Sequence, residues 1–133
     1  MSLDRIFDIA SSAISAQGKR LNVVASNLAN ADSVAGPDGE AYKARQAVFQ
    51  AIARGREPAG VRLANIVEDQ SPGKRIHDPA HPLADAEGYV THSNVSVVEE
   101  MVNMISALRS YQNNVEVMNT ARQLMLKTLR MGE

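Results

Sequence analysis

The chain has 133 residues, with fourteen basic against fifteen acidic side chains for a net charge of -1, 44% hydrophobic and 4% aromatic content, and neither Trp nor Cys. That is about one domain's length, and its core has to be aliphatic and rich in Met. The balanced charge, with no basic block to follow a phosphate backbone, argues against nucleic acid; the lack of Cys excludes disulfides, thiolate metal sites and thiol catalysis in any compartment.

No apolar run among Met1 to Ala13 reaches the length of a signal-peptide core. The expectation is a chain with no cleaved Sec-type leader and no membrane span of its own. From Ser2, a plausible N-cap with Asp4 in the first turn, a helix of roughly 40 Å is predicted to about Ala29. Its apolar residues Leu3, Phe7, Ala10, Ile14, Leu21, Val24 and Leu28, with the polar Gln17 in register, alternate gaps of four and three and form one narrow stripe. Asn30, able to enter the left-handed conformation, is the expected stop, and residues 34–39, with Gly36, Pro37 and Gly39, form a turn.

Imperfect alternation from Ala41 to Ile52 predicts one strand, and Val61 to Val67 a better one, with Pro58 and Gly60 supplying the turn before it and Ser71 to Gly73 the turn after it. Short strands are expected at Arg75 to His77 and Tyr89 to Thr91, and the Pro residues within Asp78 to Pro82 forbid a helix between them. The last helix opens at Ser96, whose spacing to Glu99 is that of a capping box, and closes with Lys127 and Arg130 before Gly132, at a length of about 50 Å. Val97, Met101, Met104, Leu108, Tyr111, Val115, Met118, Met125 and Leu129 keep the heptad beat, interrupted by Arg122, while Val98, Val102 and Ile105 widen the apolar face.

The predicted fold is therefore mainly α with a small β region. Residues 1–30 and 94–133 supply two long terminal helices in a coiled-coil-like pair or bundle, and residues 31–93 a central β-containing insert, in one structural domain overall. Helices this long carry more apolar surface than the insert can cover. From periodicity alone, an intramolecular helical hairpin and association with other chains both remain open.

His77, His81 and His92 lie in a Pro-rich stretch with no helical ligand spacing, so no metal or cofactor is expected. No nucleophile elbow accompanies the Ser, His and Asp residues, and the glycines form no phosphate loop, so neither catalysis nor a small-molecule substrate has a candidate constellation.

The segment Ala13 to Asn30 is similar to the signature shared by rod and hook proteins, and the chain resembles the axial protein family of the bacterial flagellum. Ala31 to Gly39, Asp78 to Val90, Asn94 to Ile105, Arg109 to Asn114, Val117 to Ala121 and Leu124 to Leu129 extend the likeness to proximal rod subunits over essentially the whole chain. Asn113 departs from the pattern where a small residue is expected, which bears on how closely another helix can approach there. The resemblance implies a structural, non-enzymatic subunit, exported by the flagellar type III apparatus without a cleaved leader. It would polymerise through its terminal helices into the rod, a drive-shaft tube in the periplasmic space between membrane ring and hook.

Expected partners are other rod subunits, membrane-ring and export-apparatus proteins and a rod adaptor. The expected assembly interface is the two stripes with Asn27 added, and Gln17, Asn27, Asn103, Asn114 and Asn119 would fix register. The alternative is a soluble helical-bundle adaptor or chaperone-like binding module closed on itself.

Overall fold

The computed structural model describes residues 2–36 and 39–132. Two helices, α1 (Leu3–Ala29) and α2 (Val97–Met131), enclose in sequence the strands β1 (Arg45–Arg54), β2 (Glu57–Glu68), β3 (Arg75–His77) and β4 (Tyr89–Thr91). Ser2 caps α1 by accepting from the Arg5 amide at 3.3 Å, as its spacing predicts. Asn30 stops α1 by a different route from the one expected: its φ is -107°, and its side-chain amide donates to the Ser26 carbonyl at 2.8 Å. The same carbonyl also accepts the Asn30 backbone amide at 3.2 Å, so backbone and side chain together fasten the cap residue to the last turn without a left-handed conformation.

At α2 the Ser96 hydroxyl accepts from the Glu99 amide at 3.4 Å, but the return bond from the Glu99 carboxylate to the Ser96 amide is not among the hydrogen bonds of the described residues. Half of the expected capping box forms. Of the expected 34–39 turn, Pro37 and Asp38 lie outside the described residues, while Gly39, at φ 80°, donates to the Gly36 carbonyl at 2.9 Å.

The helices run antiparallel. Leu3 and Ile6 share a cleft with Thr120, Ala121 and Leu124 of α2, and Val23 and Val24 share another with Glu100 and Asn103. α1 has 27 residues and α2 has 35, so α2 outruns its partner by about 12 Å at 1.5 Å per residue.

β1 and β2 pair antiparallel from Arg45↔Glu68 to Arg54↔Glu57. The hairpin turns at Gly55 and Arg56, with Gly55 at φ 67°, the glycine-first pattern of a two-residue hairpin loop. Pro58 and Gly60, expected in a turn, instead lie inside β2, where the register shift between Ile52 and Ala53 leaves Ala59 unpaired. In a two-stranded ribbon both strands are edges, and an edge with a bulge tolerates a residue that cannot donate. β1 starts four residues later than its alternation suggested, because Ala44 donates to the Asn94 side chain at 2.7 Å rather than to a strand. The short strands β3 and β4 fall where the sequence placed them and pair antiparallel.

α1 is packed from two sides, by α2 and by the hairpin. Ser12 makes the second junction: its hydroxyl donates to the Ile9 carbonyl at 2.7 Å and accepts from the Val61 amide at 3.0 Å. A Cβ added at Gly60 would stand 2.5 Å from the Ser12 oxygen, and Gly60 has φ 151°. Gly60→Val is therefore expected to lower stability by about 1–3 kcal/mol through overpacking and loss of the Ser12 bond, measured by urea denaturation.

The insert is tied down at the residues just before α2. The Asn94 side chain donates to the carbonyls of Asp69 and Ser71, both at 2.9 Å, and the buried Ser93 hydroxyl donates to the Ala31 carbonyl at 2.6 Å. In the 78–89 loop the Tyr89 amide, then the Glu87 amide and Arg75, hold the Asp85 carboxyl below its ordinary value. A group depressed on folding supports the loop above the ordinary carboxylate range, and that support fades as pH falls through the lower folded value.

Candidate functional site

The expected interface residues divide into three groups. Ala10, Val24 and Asn27 are buried within the chain; Leu3, Phe7, Ile14, Gln17, Leu21 and Leu28 on α1, and Met104, Tyr111, Val115, Met118 and Met125 on α2, are half-buried; Val97, Met101, Leu108 and Leu129 are exposed. The seam that α2 presents to α1 is rotated by about one position from the apolar beat. Its most enclosed residues are Glu100, Ala107 at 0% exposure and Ala121, with Asn114 half-buried between them.

These four positions recur every seven residues, so they lie on one line of the helix. A search for large apolar side chains passes over them, since two are polar and two small. Alanine is nonetheless the residue that lets two backbones come close. Asn113 is exposed and lines a cleft of about 550 Å³ with Leu3, Ile6 and Ala121.

Asn27 belongs to the chain's own fold rather than to a surface. It is fully buried; its amide donates to the Arg45 carbonyl at 2.7 Å, and its side-chain oxygen accepts from the Tyr42 hydroxyl at 2.8 Å and the Arg45 amide at 2.9 Å. An unpaired buried polar group is costly, and here Tyr42 and the first residue of β1, Arg45, supply all of its partners. Of the other register candidates, Asn114 donates to the Ser110 carbonyl of its own helix at 2.7 Å, Asn119 is exposed, and the buried side-chain oxygen of Gln17 has no donor among the described residues.

The surface that stands out is on α2. Among the described residues most large apolar side chains that stay exposed lie on this helix and none lies on α1. Val98 is 73%, Val102 60% and Ile105 57% exposed, one turn apart, flanked by Met101 and Leu108; Leu124, Leu126, Leu129 and Met131 continue the apolar surface near the end of the helix. A contiguous apolar face of this kind marks an association site. The histidines are held locally: His77 meets the Tyr89 ring edge-on at 5.0 Å, and His81 accepts from the Leu83 amide at 3.0 Å. No helix among the described residues is long and apolar enough to cross a membrane.

Residues 7–37 match the family model described as flagella basal body rod protein, and residues 86–131 match the model of the FlgEFG flagellar basal body rod protein C-terminal region. Over the full length of both chains, this protein is 61% identical to the flagellar basal-body rod protein FlgC of Yersinia enterocolitica and 59% identical to that of Salmonella typhimurium. The chain belongs to the FlgC family of flagellar basal-body rod proteins. The FlgC protein of Buchnera aphidicola from Acyrthosiphon pisum is 48% identical, again over both full lengths. As a FlgC-family member the chain is a structural rod subunit of the basal body, assembled with other basal-body components. The two matched segments contain the α1 stripe from Phe7 onward and the whole of α2, so the exposed apolar face lies within the matched residues.

Proposed function

We propose that this FlgC-family chain polymerises through its terminal helices into the proximal rod, the drive-shaft tube between membrane ring and hook. The apolar face of α2 around Val98, Val102 and Ile105 makes the contact with neighbouring subunits. The observation that carries this reading is the asymmetry between the helices: α1 is sheathed by α2 and the hairpin, whereas α2 keeps large apolar side chains in solvent along its length. A face that the chain leaves bare is available to a second chain, and a contact between unlike faces propagates instead of closing. The helices then form the wall of the tube and the β hairpin faces outward.

The family reading also implies delivery by the type III export apparatus to the periplasmic space, with partners among rod subunits, membrane-ring and export-apparatus proteins and a rod adaptor. Catalysis has no part in this role. Because the chain lacks Cys, a single introduced thiol reports on one place only. In purified basal bodies Val98→Cys is expected to resist a maleimide that labels it rapidly in the free subunit, while Glu87→Cys on the loop labels in both. Equal labelling of Val98→Cys in subunit and basal body would remove α2 from the interface.

A further inference from the structure

Gly18 stands in the interior of α1 without a reason inside the chain. Glycine at such a place is destabilising relative to alanine. Gly60, Gly73 and Gly88 each face atoms that a Cβ would crowd, and Gly39 and Gly55 turn the chain at positive φ; Gly18 is helical, and a Cβ added to it would meet nothing within 4 Å. A close approach from outside the subunit would supply the missing reason.

The flank of α1 that holds Gly18 is the one beside the bare face of α2. At the start of α1 two clefts shared with α2 fall on opposite flanks: Leu3 and Ile6 line one, while Asp4 and Phe7 line the other with Arg122 and Leu129. Steps of seven residues carry the second flank along α1 from Asp4 to Ser11, Gly18 and Ala25, and along α2 from Leu129 and Arg122 back to Leu108 and Met101. Ser11 and Ala25 are exposed, and the hairpin takes hold of α1 elsewhere, at Ser12.

The two helices thus bound a groove with small residues on its α1 wall and mostly large apolar ones on its α2 wall, both repeating every seven residues. We propose that a helix of an adjoining rod subunit lies in this groove and crosses α1 at Gly18, with its apolar side chains on Met101 and Leu108. A helix is the occupant whose side chains keep the same seven-residue beat. This rests on the rod-subunit reading and adds α1 to the contact. The separation of two helices is set by the side chains where they cross, so Gly18 fixes how near the neighbour comes while α2 supplies the apolar area.

Gly18→Ala and Gly18→Leu separate the subunit from the assembly. In the purified subunit both are expected to raise the melting temperature by about 2–4 °C, because they restrict the unfolded chain and meet open space in the folded one. In flagellated cells Gly18→Ala is expected to keep its rods, whereas Gly18→Leu lowers the yield of basal bodies with a complete rod about tenfold or more, as overpacking of a close contact does. A photo-crosslinking amino acid at Ala25 in the otherwise unchanged chain reads the contact itself, with a second strain carrying it at Val102. The expected partner of Ala25 is a segment of another subunit whose apolar residues recur at gaps of three and four. A Gly18→Leu subunit that melts below the parent, a full yield of rods from it, or Ala25 crosslinks confined to the chain itself would each overturn the proposal, while intersubunit crosslinks from Val102 leave the rod reading standing. Absence of intersubunit crosslinks from both positions would remove both.

Discussion

Val102→Asp combined with Ile105→Asp is expected to leave the isolated subunit folded, with a melting temperature within about 2–4 °C of the parent, and to abolish rod assembly and swimming. Both side chains are more than half exposed, so in the free chain the new carboxylates keep their water, and surface substitutions of this kind change stability by about 0.5 kcal/mol or less. In an assembled rod the same carboxylates lie against a neighbour's apolar surface, where each unpaired charge costs on the order of several kcal/mol. Leu108→Asp acts in the same direction with a smaller effect, since Leu108 is less exposed. Leu21→Asp differs in kind: Leu21 is half-buried on α1, so that change weakens the subunit as well as the assembly. Thermal denaturation of the purified subunit beside a soft-agar motility assay separates the two, and normal swimming of the double α2 variant would contradict the proposed surface.

Asn27→Ala is expected to cost the folded chain about 2–4 kcal/mol, among the largest effects of any single truncation here. The substitution leaves the Arg45 amide and the Arg45 carbonyl without partners at the point where α1 meets the start of β1. The Tyr42 hydroxyl loses less, because it lies 3.1 Å from the Ser26 hydroxyl and can bond there. Urea denaturation gives the total. Hydrogen exchange should find the loss of protection centred on the Arg45 amide rather than spread along α2. Unchanged stability would mean that water replaces all three bonds and that Asn27 is no latch.

The starts of both helices were legible because capping is local: Ser2 and Ser96 accept from amides three residues on, and nothing distant has to be known. The stretch between them was legible only where side-chain alternation decides. β3 and β4 fall where expected, but the β1–β2 turn moved from Pro58 and Gly60 to Gly55 and Arg56, because a bulge in an edge strand accommodates the very residues that signal a turn. The heptad beat of α2 located the helix and missed the angle at which it meets α1. Large apolar residues mark which side chains leave water, whereas close approach is set by small ones, and here Ala107 and Ala121 decide it. Asn27 was legible as important and not as to why, since its partners Tyr42 and Arg45 lie fifteen and eighteen residues away.

The most direct measurement of the central claim is a side-chain-resolution image of the assembled basal body, read for the exposure of Val98, Val102 and Ile105. Burial of all three against another polypeptide, with α1 still sheathed by its own hairpin and α2, is the predicted result. Finding these three residues facing solvent in an intact rod, with the neighbouring subunits held through other surfaces, would contradict it.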